Sequence, residues 1–565
     1  MLHMEKTSVR SWFSSGELWI WMNAAAVGIS IAAVGGLLAL IAVRGLAHFW
    51  PSDIAEIRYL AANDQETIVV GEMIESETLS MAQYRDSTGD ASEFPADQEI
   101  VRRWLIKTGN RREDPPDFEW LYEYRFQAVA HPESLAVFER MEWGNAYGEL
   151  IAVLEDGEVV AGGEAVWPEF RARLSRVEEI RDQIGEIERG EFNAINYELE
   201  QLRLDRRRLE LNDRLSQAAR SSEEASITEA EEALQMRYLR AEAELRALID
   251  QRARDSIEVE ISNGAILRLN LAEVVRAWQP NQMSVAEKIG HYGTSVWLFL
   301  SEDPREANTE GGIFPAIFGT VLMVLLMSVL VTPLGVIAAV YLREYARQGP
   351  FVRLIRIAVN NLAGVPSIVY GVFGLGFFVY FIGGNLDQLF FEAALPAPTF
   401  GTPGLVWASL TLALLTVPVV VVSTEEGLTR IPRSIREGSL ALGATKAETL
   451  FKVVLPIASP SILTGIILAV ARAAGEVAPL MLVGVVKLAP TLPLDGNFPY
   501  LHLERKFMHL GFHIYDVGFQ SPNVDAARPL VYATALLLVL IIIALNLTAI
   551  MLRTRLENRY RGVES

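Results

Sequence analysis

The chain has 565 residues, 51% of them apolar, yet it carries 50 basic and 70 acidic side chains. The acidity is confined: residues 51–310 hold 54 Asp and Glu against 29 Lys and Arg, and the rest hold 16 against 21. That division argues against a uniform globular enzyme. The absence of a basic stripe argues against nucleic acid as a partner. With no cysteine, disulfides, zinc–thiolate sites, iron–sulfur clusters and thiol nucleophiles are excluded together.

Crossing ~30 Å of hydrocarbon takes about 20 mostly apolar residues. Six segments qualify: 18–43, 311–342, 357–386, 404–423, 459–486 and 529–552. The first follows a tail, residues 1–17, with Lys6 and Arg10. It exceeds the ~7–15 apolar residues of a signal peptide and reads as a retained anchor. Basic residues also follow the second span (Arg343, Arg347, Arg353, Arg356), the fourth (Arg430, Arg433, Arg436, Lys446, Lys452) and the sixth (Arg553, Arg555, Arg559, Arg561). Six spans put all four groups on one side, which the positive-inside rule makes the cytoplasm. Both termini, including residues 553–565, are then inside and the acidic block 51–310 outside.

Within that block, Trp120, Tyr122, Tyr124 and Phe126 alternate with polar neighbours as in a strand. Asp156-Gly157 marks a β-hairpin between 150–154 and 158–161, and Asn263-Gly264 another between 257–261 and 266–269. From 168 to 254 strand signals give way to dense charge. Phe170, Leu174, Val177, Ile184 and Ile187 recur at helical spacing, as do Ile227, Leu234, Tyr238, Ala241, Leu245 and Leu248 after Ser221-Ser222. The pattern predicts an antiparallel helical hairpin, a coiled-coil-like arm able to reach ~70 Å at 1.5 Å per residue. It serves either as a spacer or as a docking arm.

The loop after the fourth span, residues 424–456, is the most informative. Arg436-Glu437-Gly438-Ser439-Leu440-Ala441-Leu442-Gly443 leads on to Val453-Val454-Leu455-Pro456. It predicts two short helices parted at Gly443, which permits a sharp turn, with Leu440 and Leu442 offered to a partner and Pro456 closing the segment. Inside the fifth span, Arg472 and Glu476 are four apart and share a helix face. Each intramembrane charge costs ~2.5–3.5 kcal/mol on insertion scales. The pair either compensates itself or lines an anion pathway, a guanidinium fork being matched to an oxyanion.

The loop resembles the EAA loop of ABC-importer permeases, with Glu437, Gly443, Leu455 and Pro456 in register and Gly438 and Ser439 in place of two alanines. Asn361-Leu362-Ala363-Gly364-Val365-Pro366-Ser367-Ile368-Val369-Tyr370-Gly371 resembles a third-span signature of phosphate permeases. Ala471-Arg472-Ala473-Ala474-Gly475-Glu476-Val477-Ala478-Pro479-Leu480 is similar to a segment of the PstA-type subunit, and Gly311-Gly312-Ile313-Phe314-Pro315 opens the second span as there. Val477 departs from the usual threonine, and Ser423 stands where many relatives carry an arginine.

The resemblance, over residues 311–561, implies a mainly α membrane protein. Six transmembrane helices would form a type I ABC-importer permease fold in a bacterial inner membrane, beside an α+β extracytoplasmic domain with the helical hairpin. It implies a phosphate transport subunit rather than an enzyme, binding no metal or cofactor itself. Its partners would be a second, PstC-type permease, a PstB-type ATPase dimer, a PstS-type phosphate-binding protein and membrane lipid. No G-x-x-x-x-G-K-[ST] occurs in the chain, so ATP and Mg would be handled by the ATPase, reached through Glu437, Gly438, Ser439, Leu440, Gly443, Leu455 and Pro456. Arg472 and Glu476 would lie on the substrate pathway. A permease for sulfate or molybdate, and a membrane-anchored signalling protein, stay open as alternatives.

Overall fold

The structure, a computed structural model, describes residues 17–61, 65–88, 99–110, 117–212, 214–521 and 524–561. The 1–16 part of the N-terminal tail, with Lys6 and Arg10, lies outside them, as do residues 562–565. Six helices are long and apolar enough to cross a membrane, and an α+β domain is inserted between the first two.

Helix α1 (Glu17–Ala47) is exposed along nearly all its apolar length and runs on past 43. It touches the last span through Gly45, where a Cβ would sit 2.9 Å from the Tyr532 carbonyl oxygen. A small residue is what permits that approach.

The domain opens with β1 (Ile54–Leu60), β2 (Glu66–Ser80), β3 (Ile100–Lys107), β4 (Phe118–Tyr122) and β5 (Phe126–Ala130), an antiparallel sheet in the order β4-β3-β2-β1-β5. The aromatic run 120–126 is therefore not one strand. A 3-10 turn at Glu123–Arg125 breaks it, and its halves lie on opposite edges of the sheet. A period of two persists through such a turn and cannot reveal it.

The second sheet comprises β6 (Leu135–Arg140), β7 (Ala146–Glu155), β8 (Glu158–Gly162), β9 (Asp255–Glu260), β10 (Ile266–Asn270) and β11 (Val274–Trp278). Its order is β10-β9-β7-β6-β11, with β8 beside β7. Both expected β-hairpins are present. Asp156 (φ +49°) and Gly157 (φ +86°) turn β7 into β8, and Asn263 (φ +59°) and Gly264 (φ +73°) lie between β9 and β10. The sheets meet through Ile54 and Val70 against Leu135, Val137 and Tyr147.

Between β8 and β9 the chain leaves the sheet as α2 (Val166–Glu186), passes a π segment (Ile187–Glu191) into α3 (Phe192–Leu211), and returns as α4 (Gln217–Ala253). The reversal falls between Leu211 and Gln217, earlier than Ser221-Ser222, which lie inside α4. Ser216 caps that helix by accepting from the Ala219 amide. Phe170 and Val177 pack on Phe138, Ile257 and Val259 of the sheet. The fully buried Asp255 is held by Arg173 and Arg176, and Arg173 also meets Glu155 at 2.8 Å.

That clamp fixes the exit angle, and the arm lies along the core rather than standing away from it. Tyr197 on α3 donates a 2.6 Å hydrogen bond to the Phe498 carbonyl oxygen, and α3 rests on the turn Glu392–Ala394. The arm's helical run from Val166 to Leu211 is about 70 Å long at 1.5 Å per residue.

Helix α5 (Val285–Ser301) leads back to the membrane and receives the end of α1, Phe49 packing against Phe299 and Tyr292. The second span is α6 (Phe314–Tyr345). Next comes α7 (Pro350–Leu362), amphipathic, with Val352 buried while Phe351 and Leu354 are exposed. The third span, α8 (Ser367–Phe390), starts ten residues later than the apolar run from 357 suggested, because Gly364 and Pro366 break the helix.

The fourth, α9 (Leu405–Arg430), continues past 423, so Glu425-Glu426 are helical, Glu425 meeting Arg356 at 3.2 Å. After α10 (Arg433–Ala441), the fifth span α11 (Lys446–Ala474) stops at Gly475 instead of 486. Helix α12 (Leu510–Phe519) precedes the sixth span, within α13 (Val524–Arg561). Met323, Met327 and Val331 of α6, Leu412 and Leu415 of α9, and Val470 and Ala473 of α11 form the membrane core.

Candidate functional site

Arg472 occupies the last turn of α11, where a cation is favoured by the exposed carbonyls of the helix end. Gly475 caps the helix, its amide directed to the Arg472 and Ala473 carbonyls. Glu476 therefore lies beyond the helix and not one turn along its face, as the spacing implied. The two charges are nevertheless together: Arg472 Nε is 3.5 Å from Glu476 Oε1, with side chains about one-third and one-fifth exposed. Gly475 between them is exposed. The pair borders accessible space, and the long contact leaves guanidinium donors for a further acceptor.

The walls around it are tight. Tyr370 donates to the Leu362 carbonyl at 2.6 Å, fixing the start of α8. A Cβ on Gly371 would fall 2.7 Å from Pro479 Cα, so α8 touches the chain just past Glu476. Val477 fills the space beside Gly511 and the His509 ring, where a Cβ on Gly511 would meet Val477 Cγ2 at 2.7 Å. The methyl at this departure from the family pattern is thus a packing group. Burial pushes the His509 imidazole down to about 4, which keeps it neutral. Ser423 faces Gly465, whose Cβ would lie 2.8 Å from that of Ser423, so it serves close packing of α9 on α11.

The loop at the opposite end forms the two expected helical pieces. Gly443 between them has φ +86° with open space around it, a conformation that L side chains avoid. Leu442 is 91% and Leu440 47% exposed, and Glu437 and Gly438 share the exposed surface. Ser439 turns inward, its hydroxyl 2.9 Å from that of Thr449.

Leu455 and Pro456 do not close the segment. The helix runs through them, entered by a π segment at Leu450–Val454 that accommodates the amide missing at proline. Sequence spacing missed what anchors this loop. Arg436 donates to the Leu428 and Ile431 carbonyls and pairs with Glu344 at 2.9 Å, while Lys446 reaches the Glu344 carbonyl at 2.6 Å. Only a signal linking the end of α6 to residues some ninety positions later would have exposed it.

Residues 331–562 match the family of binding-protein-dependent transport system inner membrane components. A phosphate transport system permease protein PstA of Mycobacterium leprae is 36% identical over 225 residues, covering 39% of this chain and 68% of its own. PstA 1 of Mycobacterium tuberculosis is 35% identical over 254 residues, covering 44% and 72%. Among solved structures, a chain of the inward-facing MetNI methionine ABC transporter aligns at 18% identity with a TM-score of 0.31, over 48% of this chain and 99% of that one.

Proposed function

Because the chain belongs to the PstA-type permeases of binding-protein-dependent transport systems, we propose that it is the permease subunit of an ATP-driven importer of inorganic phosphate. The observation that carries the reading is the Arg472–Glu476 pair at the end of α11, partly exposed within an apolar core. A guanidinium there supplies donors for an oxyanion. Glu476 tempers it, since a pathway must release what it binds.

Coupling runs through the exposed loop. Leu440 and Leu442 seat in a separate ATPase chain, which binds ATP and Mg, and Gly443 holds the bend that presents them. Movement of that loop reaches α6 through Arg436 and Glu344 and drives alternating access. The basic flanks support a reading with the loop and both termini in the cytoplasm and the α+β domain outside an inner membrane. A PstC-type permease completes the pathway and a PstS-type binding protein delivers phosphate. Delivery by a docked protein suits an outer domain whose acidity repels the free anion.

The test is labelled-phosphate uptake, with sulfate as competitor, in cells lacking and then regaining this chain. Restored uptake that ignores excess sulfate supports the reading; restoration that sulfate abolishes, or none, defeats it.

A further inference from the structure

A cavity of about 610 Å3 lies where the inserted domain meets the membrane core. Two of its walls are ends of membrane spans. Arg44 from the last turn of α1, with Arg528 and Tyr532 from the start of the sixth span, line it on that side. The rest of the lining belongs to the domain and carries the carboxylates Glu72 on β2 and Glu310 in the lead-in to α6, with Lys107 beside them. Glu139, also in the lining, is neutralised by Arg276 and Arg305. Glu310 has Lys107 and Arg305 near it, yet its Oε2 is buried with no hydrogen-bond partner among the described residues. Glu72 accepts a bond from the Tyr147 hydroxyl at 3.0 Å.

The lining is thus unevenly charged: the span ends contribute Arg44 and Arg528, while the domain contributes seven carboxylates against Lys107, Arg276 and Arg305. Its size is that of a small-molecule site, and its height, set by the span ends, is that of lipid headgroups, where Trp50 and Tyr532 in the lining are characteristic. Burial pushes both Glu72 and Glu310 up, and the Lys107 ammonium offsets only part of this.

We propose that this cavity binds a phosphate-plus-ammonium zwitterion, the headgroup of an aminophospholipid from the leaflet on the domain side. Such a headgroup has the same polarity as the cavity: its phosphate is attached nearest the bilayer, beside Arg44 and Arg528, and its ammonium extends outward to Glu72 and Glu310. A primary ammonium donates three hydrogen bonds, which is what the two carboxylates lack. The lipid would bridge α1, the last span and the domain, independently of the transported substrate.

The test uses the full chain, delipidated in detergent and mixed with phosphatidylethanolamine, phosphatidylglycerol or phosphatidylcholine, with bound lipid read by native mass spectrometry. Phosphatidylethanolamine should be retained at least about tenfold better than the other two, the loss of one charge-assisted hydrogen bond being worth about that much. The double variant Glu72→Gln, Glu310→Gln should erase the preference, and Arg44→Gln should weaken retention of every phospholipid.

Equal retention of the three lipids by the unaltered chain overturns the proposal, and that comparison needs no variant to fold. Soluble O-phosphoethanolamine separates the sources. If it binds while phosphatidylethanolamine is not retained, the zwitterion site stands and the lipid does not. Binding of neither overturns both.

Discussion

Tyr197 and Phe498, 301 positions apart, are joined by a 2.6 Å hydrogen bond from the tyrosine hydroxyl to the backbone carbonyl. Through it the inserted helical arm is fastened to the loop between the fifth and sixth spans. An exposed neutral bond of this kind contributes ~0.5–1.5 kcal/mol, enough to bias a loop without locking it. Tyr197→Phe should leave the fold intact and accelerate hydrogen exchange of the amides near 495–501 severalfold. Unchanged exchange there would mean that the arm does not restrain the loop.

Arg472→Gln keeps hydrogen-bonding capacity but removes the charge and the planar fork. A charge-assisted bond is worth ~1.5–3 kcal/mol, so phosphate uptake should fall roughly 10- to 100-fold in correctly assembled transporter, with Arg472→Lys intermediate. Full uptake by Arg472→Gln would assign the pair a purely structural role.

Gly443 sits at φ +86° with nothing near its missing side chain. Its replacement is opposed by backbone strain alone, of order 1–2 kcal/mol. Gly443→Val should let ATP hydrolysis proceed without matching uptake, while Gly443→Asn, which tolerates the left-handed region, should stay near the native ratio. The ratio of phosphate imported to ATP consumed by reconstituted transporter is the measurement.

Glu139 offers a pH test of how the domain is held. Burial pushes its carboxyl up, but Arg276 and Arg305 more than reverse this and leave it below the ordinary 4.5. The folded state then binds fewer protons than the unfolded one just below 4.5. The stabilisation is complete above that value and is lost as pH falls through the depressed one. Thermal unfolding between about pH 7 and about pH 3 should show it. Glu139→Gln should remove that part of the slope and lower stability at neutral pH by ~3–5 kcal/mol, because two guanidiniums lose their shared partner.

What could be read from the sequence was local. Hydropathy locates six spans because crossing a bilayer is a property of one contiguous segment. Asp156-Gly157 and Asn263-Gly264 mark turns because few residues tolerate a positive φ. Span ends were less legible: Gly364-Val365-Pro366 and Gly475 through Pro479 interrupt helices inside apolar stretches, where hydropathy does not change. The contacts Arg436–Glu344, Asp255–Arg173 and Tyr197–Phe498 were invisible, since each joins segments far apart in sequence. Arg472 and Glu476 were found as neighbours by spacing, yet the helix end that separates them came from Gly475, which spacing does not weigh.

The arm that spans the turn at 392–394 and Phe498 is anchored at its base by the clamp around Asp255. Its outer end, Leu211, is 14 residues beyond Tyr197, about 21 Å farther along the helix. A stiff rod held at one end and touching two loops of the core behaves as a pointer. Small separations of those loops become swings of its tip. A fluorophore placed at the outer end, near Leu211, would therefore report a rearrangement of those two loops from outside them.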